Sequence, residues 1–269
     1  MRIHHLNVGT LCPRGARWVN GTGGPFQRAR LVCHALLLET EDGLVLVETG
    51  LGTRDIADPA RLGKSWVRLV TPKLDPSETA IARVRALGFA PSDVRHIVLT
   101  HLDLDHAGGL EDFPDATVHV HQREHDALMG RVSVRAGRYI PAHFRHGPRW
   151  KLWNHDGERW FGFDAVRSLL DGEPDILLIP LFGHTAGHCG VAVRGPDKWL
   201  LHAGDAFFHQ TQITGGRTPL GLRYFQRRAD TDRALRRANQ AQLSALHSAH
   251  GHEIEIFNAH DPLGLLGRE

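Results

Sequence analysis

Short apolar runs bounded by turn residues recur in both halves of the chain and predict β-strands. The predicted strands are Leu31–Glu39, Leu44–Glu48, His96–Thr100, Ala116–His121, Ile176–Leu181, Val191–Arg194, Trp199–His202 and Glu253–Asn258. The first two form a predicted hairpin, because Glu41-Asp42-Gly43 supplies residues that favour a turn between them.

Apolar residues at helical spacing predict α-helices between these strands. The predicted helices are Ser77–Leu87, Arg123–Met129 and Asp230–Leu246. Ser77 is the expected N-cap of the first helix, and Gly88 is its expected stop. Because strands alternate with helices in both halves, the pattern favours an α/β fold with two packed sheets flanked by helices. We expect one domain over residues 1–269.

The segment Arg131–Asp164 is weakly periodic and rich in arginine, histidine and aromatic residues, among them Tyr139 and Trp150. Long inserted segments often carry substrate contacts, so one hypothesis makes it a lid or cap over the functional site. The alternative is an edge element held down by aromatic packing. The segment is also a candidate dimer contact, which leaves a homodimer open.

Composition narrows the class of protein. A net charge of +2 over 269 residues gives no electrostatic case for a nucleic-acid or anionic-membrane partner. No apolar run approaches the roughly 18 residues of a membrane helix. Three cysteines without zinc-ribbon spacing, and an N-terminus unlike a signal peptide, favour a reducing, cytoplasmic location. The 20 histidines are unusual and fit metal chemistry.

The run Thr100–Gly109 holds four potential metal ligands, which are His101, Asp103, Asp105 and His106. It follows an apolar strand directly. An extended segment sends alternate side chains to one side, so His101, Asp103 and Asp105 are expected to converge. His106, in the next turn, approaches from another direction. Imidazole and carboxylate together suit zinc, iron or manganese.

Three more polar clusters lie at the ends of predicted strands. His184 occupies a glycine-flanked turn in Gly183–His188, Asp205 follows the strand ending at His202, and His260 follows the last strand. Each is weak evidence alone, because a single histidine at a strand end is usually a solvated polar residue. Together with the first cluster they predict a metal site along the sheet edges.

This set of motifs resembles the metallo-β-lactamase superfamily of metallohydrolases, over nearly the whole chain from Leu37–Gly50 to Pro262. The family signature is H-x-H-x-D-H, then a glycine-flanked His, a Gly-Asp pair and a late His. The turn Gly183–His188 is most similar to the lactonase and glyoxalase branches. The resemblance implies a four-layer αβ/βα sandwich, in agreement with the two-sheet prediction.

The resemblance also implies a dinuclear metal site. One ion would be held by His101, Asp103 and His184, the other by Asp105, His106 and His260, with Asp205 bridging both. Two ions about 3.5–4 Å apart can share a hydroxide that attacks a carbonyl. Asp105 would additionally act in catalysis by orienting the hydroxide or moving a proton. The expected cofactors are two divalent ions, with zinc first and iron or manganese as alternatives.

The chain departs from the family pattern at three positions. Asp103 stands where a second histidine is usual, which makes the first site more anionic and favours iron or manganese, or leaves one tightly held ion. Glu48 replaces the usual aspartate that supports the ligands, a role also expected for His188. Phe208 stands where quorum-quenching lactonases have a tyrosine, and a phenyl ring cannot donate a hydrogen bond.

These motifs predict a metal-dependent hydrolase that acts on a small ester or lactone carbonyl. Phe208, Tyr139 and Trp150 are the candidate residues of the substrate pocket. One alternative is a glutathione-thioester hydrolase, supported only by Arg268 near the C-terminus. The other is a diiron redox protein, since the flavodiiron branch carries a carboxylate at the position of Asp103 but also has a flavin domain.

Overall fold

The computed structural model describes residues 1–130, 137–154, 156–170 and 173–268. These residues form two six-stranded sheets. The first contains β1 (Arg2–Leu11), β2 (Leu31–Thr40), β3 (Gly43–Val47), β4 (Val94–Val98), β5 (Thr117–His121) and β6 (Arg149–Trp153), in that order. The second contains β7 (Glu158–Trp160), β8 (Phe163–Leu170), β9 (Glu173–Pro180), β10 (Cys189–Arg194), β11 (Trp199–His202) and β12 (Ile254–Phe257), again in order.

Strands β1 to β3 pair antiparallel and β3 to β6 pair parallel, whereas the second sheet is antiparallel except for its β11–β12 pair. Nine α-helices connect the strands within the described ranges. They are α1 (Ala16–Val19), α2 (Thr53–Ala57), α3 (Lys64–Val70), α4 (Ala80–Ala86), α5 (Leu104–Ala107), α6 (Gln122–Met129), α7 (Thr211–Thr214), α8 (Leu220–Ala229) and α9 (Arg233–His250).

Three apolar layers hold the elements together. Strand β2 is apolar at nearly every position, the pattern of a strand covered on both faces. Leu36 and Leu38 point into a core shared with Leu178 and Val191 of the second sheet. Alternate residues of β2 and β3 point the other way, into a core with α4, and helix α9 covers the far face of the second sheet. The predicted four-layer αβ/βα sandwich is therefore confirmed.

The predicted hairpin forms, with Glu39 opposite Leu44 across the turn. Two predicted helix starts are wrong. Ser77 lies in a separate 3-10 turn, and Thr79 caps α4 by accepting the Ala82 N–H at 3.4 Å. Helix α9 begins at Arg233 because the Asp232 carboxylate accepts the Leu235 N–H and caps it.

The Arg131–Asp164 segment contributes strands to both sheets and a stretch without strands over residues 137–148, and its role as a lid stays a prediction. Strands β6 and β7 are the edge strands of the two sheets. Of the segment's described residues, Gly137 and Arg138 line a cavity of about 960 Å³. The part of the lid prediction that falls on residues 131–136 and 155 lies outside the described residues.

Among the helices of the described ranges, none combines the length and apolar character needed to cross a membrane.

Candidate metal centre

The loop after β4 carries the first four predicted ligands. The strand ends at Val98, and Asp103 already occupies the N-cap position of α5. Asp105 and His106 therefore lie on a helical turn, which corrects the expectation that alternation in an extended segment aligns His101, Asp103 and Asp105. Asp105 lies instead beside His260, with 3.7 Å between Oδ2 and Nε2.

Hydrogen bonds fix this loop against the end of β3 and against α6. The Thr49 N–H donates to the His106 carbonyl at 2.9 Å, and the Leu102 N–H donates to Glu124 Oε1 at 3.0 Å. Gly50 (φ 61°) allows the close approach, because a Cβ there would lie 2.2 Å from the Val8 carbonyl oxygen.

The other three predicted ligands reach the same point from the second sheet. His184, Asp205 and His260 follow strands β9, β11 and β12 and are buried. The structure thus brings together all seven side chains that the sequence motifs single out. They form two half-sites that share Asp205.

We define the second half-site as Asp105, His106, Asp205 and His260. Asp205 Oδ1 lies 3.5 Å from His106 Nε2 and 3.2 Å from His260 Nε2. Tetrahedral zinc with bonds of about 2.0–2.1 Å has ligand–ligand separations of about 3.3 Å, so this spacing fits an ion. His106 Nε2 and Asp205 Oδ1 are buried and have no hydrogen-bond partner in the described part of the chain. Buried ligand atoms without a hydrogen-bond partner are what a site for a divalent ion would provide.

We define the first half-site as His101, Asp103 and His184. Asp103 Oδ2 lies 3.3 Å from His101 Nε2 and 3.2 Å from His184 Nε2. The other oxygen of Asp205, Oδ2, lies 3.3 Å from His184 Nε2. Asp205 therefore faces both half-sites, the position predicted for a bridging carboxylate.

Arg138 enters the first half-site, and the sequence motifs gave no warning of it. Its Nε donates to Asp103 Oδ1 at 2.6 Å, and one Nη donates to Asp103 Oδ2 at 2.7 Å. The same Nη lies 2.8 Å from His184 Nε2. His101, Asp103 and His184 also lie close enough together to hold an ion, and His101 Nε2 is buried without a hydrogen-bond partner among the described residues, so an ion in the first half-site would compete with Arg138.

Buried partners orient the ligands from behind. Glu48 Oε2 accepts the Nδ1 proton of His106 at 2.8 Å, while Oε1 accepts the Thr100 N–H at 2.7 Å. The carbonyl of Val32 lies 2.8 Å from His260 Nδ1. These contacts select the tautomers in which each Nε2 faces inward.

His188 holds the backbone of Asp205 rather than its carboxylate. Its Nε2 accepts the Asp205 N–H at 2.9 Å, and its Nδ1 donates to the Leu181 carbonyl at 3.0 Å. This pattern requires a neutral ring, and burial lowers the pKa of His188 to about 3. Both Glu48 and His188 therefore lie where the sequence places supporting residues.

Charges inside the cluster oppose the effect of burial on its ligands. Burial raises the pKa of Asp105. Burial also favours the neutral form of Asp103, but the Arg138 guanidinium and His101 outweigh it and hold the pKa well below its usual range. Burial likewise disfavours a charged His260, yet Asp205 outweighs it and raises the pKa of His260 to about 9. The cluster is thus a strongly coupled set of charges.

A cavity of about 960 Å³ opens above the cluster. Its floor includes Asp103, Asp105, His184, Asp205 and His260. Its walls are largely apolar and come from the neighbourhood of α1, α3 and α8: Leu11, Trp18, Val19, Leu31, Trp66, Leu69, Leu222, Tyr224 and Phe225.

Phe208 is the one predicted pocket residue that lines this cavity in the described structure. Its ring lies 5.8 Å from that of His184 and 5.5 Å from that of His260. Tyr139 is buried, and its hydroxyl donates to Glu124 Oε1 at 2.6 Å, so its assignment to the pocket is corrected. Trp150 on β6 packs against Phe144 instead, which corrects its assignment as well.

Cys33 is a second residue that the sequence motifs missed. Its thiol on β2 lies within 4.8 Å of ligand atoms of Asp105 and His260. Its spacing matches no ligand motif, and burial raises the pKa of the thiol well above its usual value. No ligand motif points to Arg138: the extra carboxylate at position 103 needs a cation beside it, but the sequence does not show which one.

Comparisons with known proteins identify the family of the chain. Residues 28–250 match the family model of the metallo-beta-lactamase superfamily. A probable metallo-hydrolase of Mycobacterium tuberculosis is 40% identical over 264 residues, which cover 97% of this chain and 81% of that protein. The N-acyl homoserine lactonase AttM of Azorhizobium caulinodans is 30% identical over 75% of this chain and 74% of its own.

A solved structure shares the fold. The N-acyl homoserine lactone hydrolase with N-hexanoyl-L-homoserine at its catalytic metal centre has a TM-score of 0.73 and 21% identity, covering 97% of this chain and 94% of that one. The family match spans more than half of the sequence, and the relatives share the hydrolase description. The chain therefore belongs to the metallo-beta-lactamase superfamily, as a metal-dependent hydrolase.

Proposed function

We propose that this hydrolase opens the lactone or ester bond of a small substrate that carries an apolar chain. The observation that carries the proposal is the position of the candidate metal centre at the floor of a wide, mostly apolar cavity. Pockets of this kind bind apolar ligands and fix their orientation with a few polar groups. The N-acyl homoserine lactonase relatives support the lactone as substrate class.

Arg14, Arg68, Arg138 and Arg228 also line the cavity, but the larger part of its wall is apolar and suits an acyl chain. Trp18, Leu69 and Tyr224 line the cavity although their side chains are exposed to solvent. Exposed apolar residues grouped around a site are typical of a binding surface. An acyl chain laid against them would place its carbonyl near the ligand cluster.

The second half-site would hold a divalent ion, for which we propose zinc. Such an ion supplies a nucleophile at neutral pH by lowering the pKa of water, and it polarises a carbonyl. Asp105 lies beside the ion's place and is positioned to accept and pass a proton to the leaving oxygen. The expectation of two ions stays a prediction, because Arg138 already binds two residues of the first half-site.

Phe208 contributes shape rather than a hydrogen bond. Its ring lies at the cavity floor beside the rings of His184 and His260. The cavity wall contains a phenol, that of Tyr224, which could supply the hydroxyl missing at this position. We therefore expect substrate orientation to depend on Tyr224.

Neither alternative function has a specific observation in its favour. Arg268, the basic residue considered for glutathione, donates to Glu255 and does not line the cavity. The diiron hypothesis rests on the carboxylate at Asp103 alone, and that carboxylate binds Arg138.

The test is a substrate panel measured with zinc-loaded protein. It compares N-acyl homoserine lactones of short and long acyl chains, aryl esters and a glutathione thioester. We expect the lactone with a long acyl chain to give the highest kcat/KM. Asp205→Asn should reduce this activity by at least about 100-fold, because both half-sites share that carboxylate. The matched control Asp197→Asn changes an aspartate outside the cluster and should leave the activity unaltered.

A thioester preferred over every lactone and ester would overturn the proposed substrate class. Unchanged turnover in Asp205→Asn would overturn the proposed site.

A further inference from the structure

Arg138 makes a set of contacts that a metal ion would otherwise make. Its guanidinium binds both oxygens of Asp103, at 2.6 and 2.7 Å, in the two-bond geometry that arginine forms with carboxylates. The same group contacts His184 Nε2 at 2.8 Å. Two of the three residues in the first half-site are therefore bound to a cationic side chain of the protein itself, the Arg138 guanidinium.

The guanidinium and an ion compete for the same lone pair. A neutral imidazole nitrogen has one lone pair, which can accept an N–H or ligate a metal but cannot do both. His184 Nε2 lies 2.8 Å from the Arg138 Nη and 3.2 Å from Asp103 Oδ2, so in the tautomer that could ligate a metal its lone pair accepts from Arg138. Zinc requires a bond of about 2.0–2.1 Å to this nitrogen, so it would have to displace the guanidinium.

Neighbouring contacts hold Arg138 in place. A second Nη donates to the carbonyl of Ala229 at the end of α8. The next residue, Tyr139, is buried and donates its hydroxyl to Glu124 Oε1, which also accepts the Leu102 N–H at 3.0 Å. One carboxylate thus ties the backbone of Arg138 to the loop that carries His101 and Asp103.

Electrostatics disfavours an ion beside the guanidinium. A divalent ion held by Asp103 and His184 would lie next to the positive charge of Arg138, which is within hydrogen-bond distance of both residues. Like charges repel strongly in a buried site.

We propose that Arg138 acts as a built-in cation in the first half-site, so that the protein binds a single divalent ion, in the second half-site. The inference rests on the proposed metal-dependent function and specifies how its site is filled. In this arrangement Asp103 and Arg138 are ion-pair partners, so the presence of each residue explains the presence of the other. His101, which remains beside Asp205, is left without an ion of its own.

The experiment counts bound ions in the wild type and in Arg138→Met. Each protein is stripped with a chelator, reloaded with excess zinc, desalted and measured by elemental analysis. We expect one zinc per chain in the wild type and two in Arg138→Met. The control Arg145→Met removes an exposed arginine from the same connecting segment and should bind one.

Two zinc ions in the wild type would overturn the inference, as would the same count in the wild type and Arg138→Met. If Arg138→Met does not fold, a measurement on the wild type alone still tests the inference. Cobalt-loaded wild type should show the electron paramagnetic resonance signal of isolated high-spin Co²⁺. A spin-coupled cobalt pair would overturn the inference.

Lactone hydrolysis is measured on the same preparations. If the wild type binds one zinc and Arg138→Met binds two, but neither hydrolyses a lactone, the inference stands and the proposed function is wrong. If the wild type hydrolyses lactones and binds two ions, the proposed function stands and the inference is wrong.

Discussion

Glu48 is the residue on which the geometry of the second half-site depends most directly. It follows β3 with a left-handed backbone (φ 68°), a conformation that costs a non-glycine residue about 1–3 kcal/mol. Two hydrogen bonds hold it there, to the backbone of Thr100 and to His106 Nδ1. Strain at this position therefore serves to fix the tautomer of a predicted ligand.

We expect Glu48→Gln to weaken zinc binding by about 10–100-fold, because an amide nitrogen cannot accept the His106 proton. The affinity is measured by competition with a chromogenic chelator. Glu41→Gln, in the exposed turn between β2 and β3, is the control and should keep the wild-type affinity. Equal affinities in Glu48→Gln and wild type would show that Glu48 does not orient the ligand.

At the scale of elements, α1 and α8 together build the apolar wall of the cavity. They approach closely at Gly221, where a Cβ would lie 2.7 Å from the Trp18 carbonyl oxygen. Trp18 is about half exposed (49%) and lines the cavity, so its ring contributes to the wall more than to the core. Changes in this wall should therefore affect substrate choice before they affect stability.

Trp18→Ala should lower kcat/KM for a lactone with a long acyl chain by about tenfold and leave a short-chain lactone nearly unchanged. The expected loss corresponds to part of the free energy that burial of an aromatic side chain contributes. Steady-state kinetics against acyl-chain length checks it. Phe26→Ala removes a solvent-exposed ring outside the cavity and should not alter the chain-length profile. An equal loss on both lactones would contradict a role in chain binding.

The strands around the site were predictable from sequence, and several helices were not. Strand β11 has the predicted bounds, because its apolar run ends sharply at His202. Helix α1 has only four residues, too few to show an apolar period, and the predicted helices do not include α8 although it is amphipathic. Arg138 could not be found from motifs, because its partner Asp103 is close only in space.

At the scale of the whole molecule, the two sheets share one central core. Leu36 of the first sheet and Val191 of the second belong to the same buried cluster. This shared core supports the single-domain prediction, which stays a prediction, as does the homodimer. It also explains why ligands from both halves of the chain can meet at one edge of the sandwich.

Leu36→Ala should reduce the free energy of unfolding by about 2–5 kcal/mol, because it leaves a cavity between the sheets. Denaturant unfolding followed by circular dichroism measures the loss. Leu263→Ala, at an exposed position, should change stability by less than about 0.5 kcal/mol. If the two variants were equally stable, the sheets would not share the core described.

The measurement that tests the central claim most directly follows hydrolysis of a long-chain N-acyl homoserine lactone while zinc is added to chelator-stripped protein. We predict no hydrolysis by the stripped protein and a rate that rises with added zinc until the site is saturated. Stripped protein that hydrolyses the lactone as fast as zinc-loaded protein would contradict the account.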